Sequence, residues 1–440
     1  MSGPAPSLGT DGPGRLRRLA GEVPALRVVR QAVFLSILLL VWVSLKPFPS
    51  LSRPDLGDIV TGQEGATYLA FGAGALVALG VTLREHARGL ASLLTPANAA
   101  LGLWLVLSVV LSTDPGTSAK RLGLTMAVIA VAACLPLLPA SRGEWRALLG
   151  LAAGTLLALC YLGLLLAPDL AIHGPRDLLE PGLAGAWRGV FGHKNAAAAV
   201  IAMLVFVGLA VFRSGQRATG AGLTAASALF LVGSEGKSAA ALCLAVLAIT
   251  GLFSLLRGLL ARAALTLGLV LVLNLFSVGT VLNDGLARIV ATLPLDATFT
   301  GRTDVWRFAV DAVAQRPLTG YGFSAFWGTS GVRDSAEAEG TWAGVAAHSH
   351  NGYLDTAVNL GLVGLVLTGL VLVIAPLRDY QRLSERSRPD PFAVMFLQIW
   401  LFGLLLSSME SFFYDRSDPI WFTFLVAVFG LHYLARFRLG

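Results

Sequence analysis

The sequence predicts an all-α polytopic membrane protein, and three observations carry that reading. Of 440 residues, 55% are hydrophobic and only 13% are charged, about half the charged share of a soluble domain. Mean hydropathy is +0.72. Apolar runs long enough to span a bilayer recur along almost the whole chain.

Residues 1–27 are rich in Gly, Pro and Arg and read as a cytoplasmic tail. The first apolar run, near 28–45, has no A-x-A cleavage site and reads as a retained anchor. Further runs lie near 66–83, 97–112, 122–138, 147–167 and 195–212. The next two, near 219–233 and 238–256, are separated only by Ser234-Glu235-Gly236-Lys237, a tight helical hairpin in which Glu235 and Lys237 are expected to pair. A run near 263–282 completes a block of nine transmembrane helices over 28–282. Residues 283–352 then form a long polar loop, expected to be partly helical and to hold active-site residues. Runs near 353–375, 392–410 and 419–435 give helices ten to twelve, within a last segment 353–440 that ends in a short cytoplasmic terminus. About twelve transmembrane helices are therefore expected.

Charge orients them. With the N-terminus cytoplasmic, the inside segments hold 19 Lys and Arg against 7 Asp and Glu, and the outside segments 14 against 19. Every inside loop has at least two arginines, the positive-inside pattern. Both termini are then cytoplasmic, and the pI near 9.7 reflects topology. No nucleic-acid partner is implied. Cys134, Cys160 and Cys243 fall inside apolar runs and read as packing residues.

The long loop and the segment before the sixth span collect the chemistry on the outer side. Thr300-Gly301-Arg302-Thr303-Asp304-Val305-Trp306 opens a helix that runs to about Gln315, with Thr303 as a suitable N-cap and an apolar face for the bilayer surface or the helix bundle. Arg302 is either a solvated loop charge or a phosphate-binding guanidinium. His348 and His350 face one side if the segment is extended and diverge if it is helical. No HExxH or third ligand at a zinc spacing accompanies them, so a general base or hydrogen-bonding group is preferred to a metal site, with a purely structural role the default for an isolated His-x-His. Arg188, His193 and Lys194, in Trp187-Arg188-Gly189-Val190-Phe191-Gly192-His193-Lys194-Asn195, either anchor the membrane interface or form an anion site at a helix N-terminus. Asp55 with Asp58, and Glu337 with Glu339, read as solvated loop carboxylates.

Three motif blocks, in this order on this background, resemble the O-antigen ligase/polymerase superfamily of bacterial envelope glycosyltransferases. His348-Ser349-His350-Asn351-Gly352-Tyr353-Leu354-Asp355, followed by Asn359-Leu360-Gly361-Leu362-Val363-Gly364, is similar to the family's H-N-x-x-L…G-L-x-G signature. Gly301-Arg302 with Trp306, then Pro317-Leu318-Thr319-Gly320-Tyr321-Gly322, resembles its G-R-x-x-x-W…P-L-x-G-x-G block. Phe191-Gly192-His193-Lys194-Asn195 is similar to the F-G-H-K-N of the ExoQ-like exopolysaccharide-polymerase branch.

The resemblance implies a GT-C-like fold and an inverting transfer at the periplasmic face of the inner membrane, with neither nucleotide sugar nor metal. A glycan on undecaprenyl pyrophosphate would move to an acceptor hydroxyl, on another glycan in a polymerase or on lipid A-core in a ligase. By the same resemblance, His350 is the base or acceptor-orienting group and Arg302 holds the pyrophosphate, aided by Lys194, Arg188 and His193. Asn351 and Asp355 are accessory candidates, and the role of His348 stays open. A transporter or flippase of lipid-linked oligosaccharides is the alternative from a different class.

Overall fold

In the computed structural model the described residues are 24–51, 63–177, 181–292, 301–329, 332, 341–344, 346–386, 390–415 and 418–437. Most of the expected tail, both loop carboxylate pairs and Thr300 lie outside them. Every apolar run read from the sequence forms a helix: α1 Pro24–Val43, α2 Gln63–Ala91, α3 Pro96–Val110, α4 Pro115–Cys134, α5 Arg142–Leu166, α6 Lys194–Arg213, α7 Arg217–Gly233, α8 Lys237–Leu255 and α9 Leu259–Phe276. The intervening polar region contains α10 Asp284–Ala291 and α11 Arg302–Gln315. A last group follows: α12 Gly352–Gly369, which continues through a π-helical turn into α13 Ala375–Arg386, then α14 Pro391–Leu406 and α15 Pro419–Arg436. Nine helical stretches among the described residues are long and apolar enough to cross a membrane, with α3 and α14 shorter apolar helices. The chain is a multi-pass, all-helical membrane protein; among the described residues there is no strand, only an isolated bridge between Ile172 and Trp187.

Capping residues set several helix starts. The Asp114 side chain accepts from Thr117 N–H ahead of Pro115, so α4 begins well before the apolar run expected at 122. Helix α9 ends at Phe276, because Ser277 leaves helical geometry (φ −107°, ψ −97°). The hairpin at 234–237 forms, but Glu235 and Lys237 are both solvent-exposed and make no ion pair with each other among the described residues; Lys237 N–H bonds the Glu235 carbonyl instead.

The bundle is centred on α6 and α15, of whose membrane windows 78% and 89% are buried, whereas α9, at 11%, lies on the rim. Trp400 and Trp421 are fully buried in this core, each worth several kcal/mol, about 3–5 on truncation. One end of the bundle gathers arginines into ion pairs: Arg30–Glu85 at 2.5 Å, Arg142–Asp390 at 2.8 Å and Arg436–Asp379 at 2.8 Å. The polar segments 301–329 and 346–351 sit at the opposite end.

A break in α12 seats the polar segment. Gly361 has φ +68° within that helix, which frees the carbonyls of the preceding turn. The Val358, Asn359 and Leu360 carbonyls accept from Tyr321 N–H, Gly322 N–H and Trp104 Nε1–H, at 3.0, 2.9 and 2.9 Å. A Cβ at Gly361 would stand 2.1 Å from the Leu318 carbonyl oxygen, so only glycine permits this approach. The Pro317–Gly322 turn is thereby clamped to α12, and Thr113 N–H and Ser118 Oγ–H extend the clamp to α3 and α4 by bonding the Tyr321 and Phe323 carbonyls.

Candidate active site

Helix α11 opens at Arg302 because Gly301 takes the left-handed conformation (φ +81°) as its N-cap. Thr303, expected as the cap, already lies inside the helix, because the left-handed Gly301 takes the cap position two residues earlier. The apolar face of α11 buries Val305, Trp306, Ala309 and Ala312. Trp306 Nε1–H donates to the Ser349 carbonyl at 2.8 Å, which pins the segment carrying both histidines to this helix.

Asn351 and Asp355 fix that segment further. Asn351 is fully buried and N-caps α12: its Oδ1 accepts from Tyr353 and Leu354 N–H, and its Nδ2 donates to Asn274 Oδ1 and the Ser408 carbonyl. Asp355 Oδ1 accepts from Trp327 Nε1–H at 2.7 Å and Ser349 N–H at 3.0 Å. Both residues hold shape around the histidines. His350 is left with φ +55°, unusual for a non-glycine residue, and Ser324 and Tyr414 nearby share the feature at +52° and +63°. Strain held in place by surrounding structure is a mark of functional sites.

The structure brings Arg302 and His350 together through a residue the sequence reading missed. The Glu410 carboxylate lies 3.0 Å from Arg302 Nη2 through Oε1 and 3.3 Å from His350 Nδ1 through Oε2. Arg302 also donates to the Met409 carbonyl, and Asn195 Nδ2 reaches Glu410 Oε1 at 3.4 Å. The three side chains retain 22%, 24% and 35% exposure (Arg302, Glu410, His350), so the cluster is reachable by a ligand. Burial alone would raise the Glu410 carboxyl. The hydrogen bond from His350 and the charges of Arg302 and both histidines outweigh it and hold the group at about 2. Glu410 is therefore an acceptor only, and the His350 nitrogen facing it must be the N–H donor.

His348 packs edge-on against His350 with ring centroids 4.3 Å apart, and its Nδ1 accepts from His350 N–H at 3.3 Å. Burial and the neighbouring His350 push His348 below the usual imidazole value, against the pull of Asp355, Glu410 and Asp415. It lines a cavity of about 460 Å³ with Trp327, Asp355, Tyr414 and Asp415.

The segment before α6 is organised differently. His193 N-caps α6 through Nδ1, which accepts from Asn195 N–H. Lys194 N–H donates to Nε2 of buried His173, whose Nδ1 is held by Asp177 at 2.8 Å. The Lys194 ammonium has no partner among the described residues, one residue from the Asn195 that touches Glu410. Arg188 is fully buried and donates to the Phe191 and Pro49 carbonyls, bracing the loop from inside. It is not brought to Arg302 and His350.

Parts of the chain match known proteins. Residues 198–369 match the O-antigen ligase family. The resemblance carried by the motif blocks is thereby borne out. The chain is 32% identical over 226 residues to the exopolysaccharide production protein ExoQ of Rhizobium meliloti, an alignment covering 47% of this chain and 50% of ExoQ. It is also 25% identical over 122 residues to a Rickettsia conorii protein named as a candidate polysaccharide ligase, covering 27% of this chain and 29% of that one. The chain thus spans about half the length of ExoQ and less of the second relative.

The segment that matches the family includes Arg302, His348, His350, Asn351 and Asp355, and excludes Lys194 and Glu410. Glu410 was hidden by position, sitting at the end of an expected apolar run 60 residues beyond His350. A carboxylate at the mouth of a span with no local partner was the available signal.

Proposed function

We propose that the protein is a glycosyltransferase that moves an undecaprenyl-pyrophosphate-linked glycan onto an acceptor hydroxyl, working as a polymerase at the periplasmic face of a bacterial inner membrane. The observation that carries this reading is the Glu410 carboxylate joining Arg302 to His350, with Asn195, next to Lys194 in sequence, reaching the same carboxylate.

The chemistry follows from those groups. With Nδ1–H donated to Glu410, the Nε2 lone pair of His350 is left to accept a proton. The acceptor hydroxyl oxygen attacks the anomeric carbon, and its proton passes to His350. The bond from that carbon to the pyrophosphate oxygen breaks, with inversion. Arg302 and Lys194 take up the charge on the departing pyrophosphate, where fixed cations in a partly dry site act most strongly. His193 supports this anion site by capping α6, and Arg188 by holding the loop. The orientation agrees with the arginine-rich opposite end being cytoplasmic.

Similarity to ExoQ and the Phe191-Gly192-His193-Lys194-Asn195 block favour a polymerase over a lipid A-core ligase. Analysis of the lipid-linked glycans in a deletion strain tests the choice. Single repeat units left on lipid are the expected result. Full-length chains left on lipid would indicate a ligase, and precursor retained on the cytoplasmic side would indicate a transporter.

A further inference from the structure

The cavity beside His348 does not end at the histidines. A second cavity, of about 700 Å³, adjoins it and shares Arg121, Trp327 and Gly328 as a common wall. The outer one is lined by Asp311, Gln315, Thr117 and Tyr321 together with the Phe308 and Phe326 rings. Trp327 is held between them: its indole N–H bonds Asp355, and its ring packs on Phe326 with centroids 4.9 Å apart. Together the two cavities run from His348, which packs on His350, to Asp311 and Gln315 of α11.

Their lining selects a ligand class. A third cavity, of about 680 Å³ between α2, α3, α4 and α15, is walled by residues such as Leu79, Leu101, Met126 and Leu425, and its chemistry suits hydrocarbon. The outer cavity of the pair instead interleaves aromatic rings with carboxylate, amide and hydroxyl groups. Among the described residues its lining holds one arginine, Arg121, against the carboxylates Asp114 and Asp311, with no cationic excess to draw a phosphate. Rings that pack C–H faces, beside acceptors that order hydroxyls, fit a neutral saccharide.

Position selects the role. Glu410, itself held by Arg302 and Asn195, meets His350 at Nδ1, and His348, which lines the inner cavity, packs edge-on against the His350 ring. We propose that the paired cavities form a groove for the acceptor glycan, placing its terminal hydroxyl next to His350 while the donor pyrophosphate enters from the Arg302 side. This deepens the proposed transfer reaction and rests on it.

Binding tests the groove separately from turnover. The probe is the set of oligosaccharides released by mild acid from the lipid-linked glycans of the producing cells, followed by saturation-transfer NMR on purified protein. Asp311 and Gln315 are solvent-exposed, so the double variant Asp311→Ala/Gln315→Ala alters the groove without entering the core. Its affinity should fall about tenfold, the scale of a lost pair of polar contacts, and that of Trp327→Leu should fall likewise. His350→Ala should bind as the wild type does. Undiminished affinity in both groove variants, or no binding by the wild type, overturns the groove and leaves the transfer reaction standing. Normal transfer by His350→Ala, with groove-dependent binding intact, would remove the proposed base instead.

Discussion

His350 Nδ1 meets Glu410 Oε2 at 3.3 Å, across 60 residues of sequence and from two different helix ends. This contact fixes which imidazole nitrogen is left free, and it ties the ring to the same carboxylate that holds Arg302. With Nδ1–H directed at the carboxylate, Nε2 is the nitrogen that can accept a proton.

Glu410→Gln keeps the size and removes the charge. Transfer should fall about tenfold or more, the scale of one charged hydrogen bond, with substrate affinity changed less than turnover. The stability effect has a defined pH window. The folded carboxyl is held at about 2, below the ordinary value of about 4.3. Its stabilisation is thus fully present above the ordinary value and is lost as pH falls through the folded one. The melting difference between wild type and variant should shrink as pH falls below about 4 towards 2; a difference that instead grows there contradicts the pairing.

Arg302→Lys retains a cation but loses the planar fork that reaches Glu410 and the Met409 carbonyl together. Turnover should drop by about one to two orders of magnitude, and Lys194→Ala should raise KM for the lipid-linked donor more than it lowers kcat. Steady-state kinetics on reconstituted protein separates the two.

Gly361→Ala places a methyl against the Leu318 carbonyl at a backbone angle that only glycine adopts freely. The Pro317–Gly322 turn should lift from α12, at a cost of about 1–3 kcal/mol. Faster hydrogen exchange at the Tyr321 and Gly322 amides is the expected signature, with amides in α6 unchanged.

Trp306→Phe preserves the buried ring but removes the donor to Ser349. About 1 kcal/mol of stability should be lost, together with a larger fall in kcat than in donor affinity, because Ser349 directly precedes His350.

The helices and their order were readable because twelve runs of membrane length leave few other folds. Helix α11 and its stop before Pro317 were readable from the same periodicity, and the motif blocks named Arg302 and His350 before their meeting was visible. Glu410 was not readable, since its partners are distant in sequence and it sits at the end of an apolar run. Nor were the left-handed Gly301 and the break at Gly361, which depend on backbone angles that the letters do not encode. Arg188 read as an interface anchor or part of an anion site with Lys194; it is buried on backbone carbonyls, because an arginine fork can also satisfy loop carbonyls.

The most direct measurement is chain extension by the purified protein in lipid nanodiscs supplied with lipid-linked repeat units, comparing wild type with His350→Ala. Loss of roughly two to four orders of magnitude in rate, the range of a general base, is expected, with the donor still bound. Polymer formed by His350→Ala at the wild-type rate would contradict the central claim.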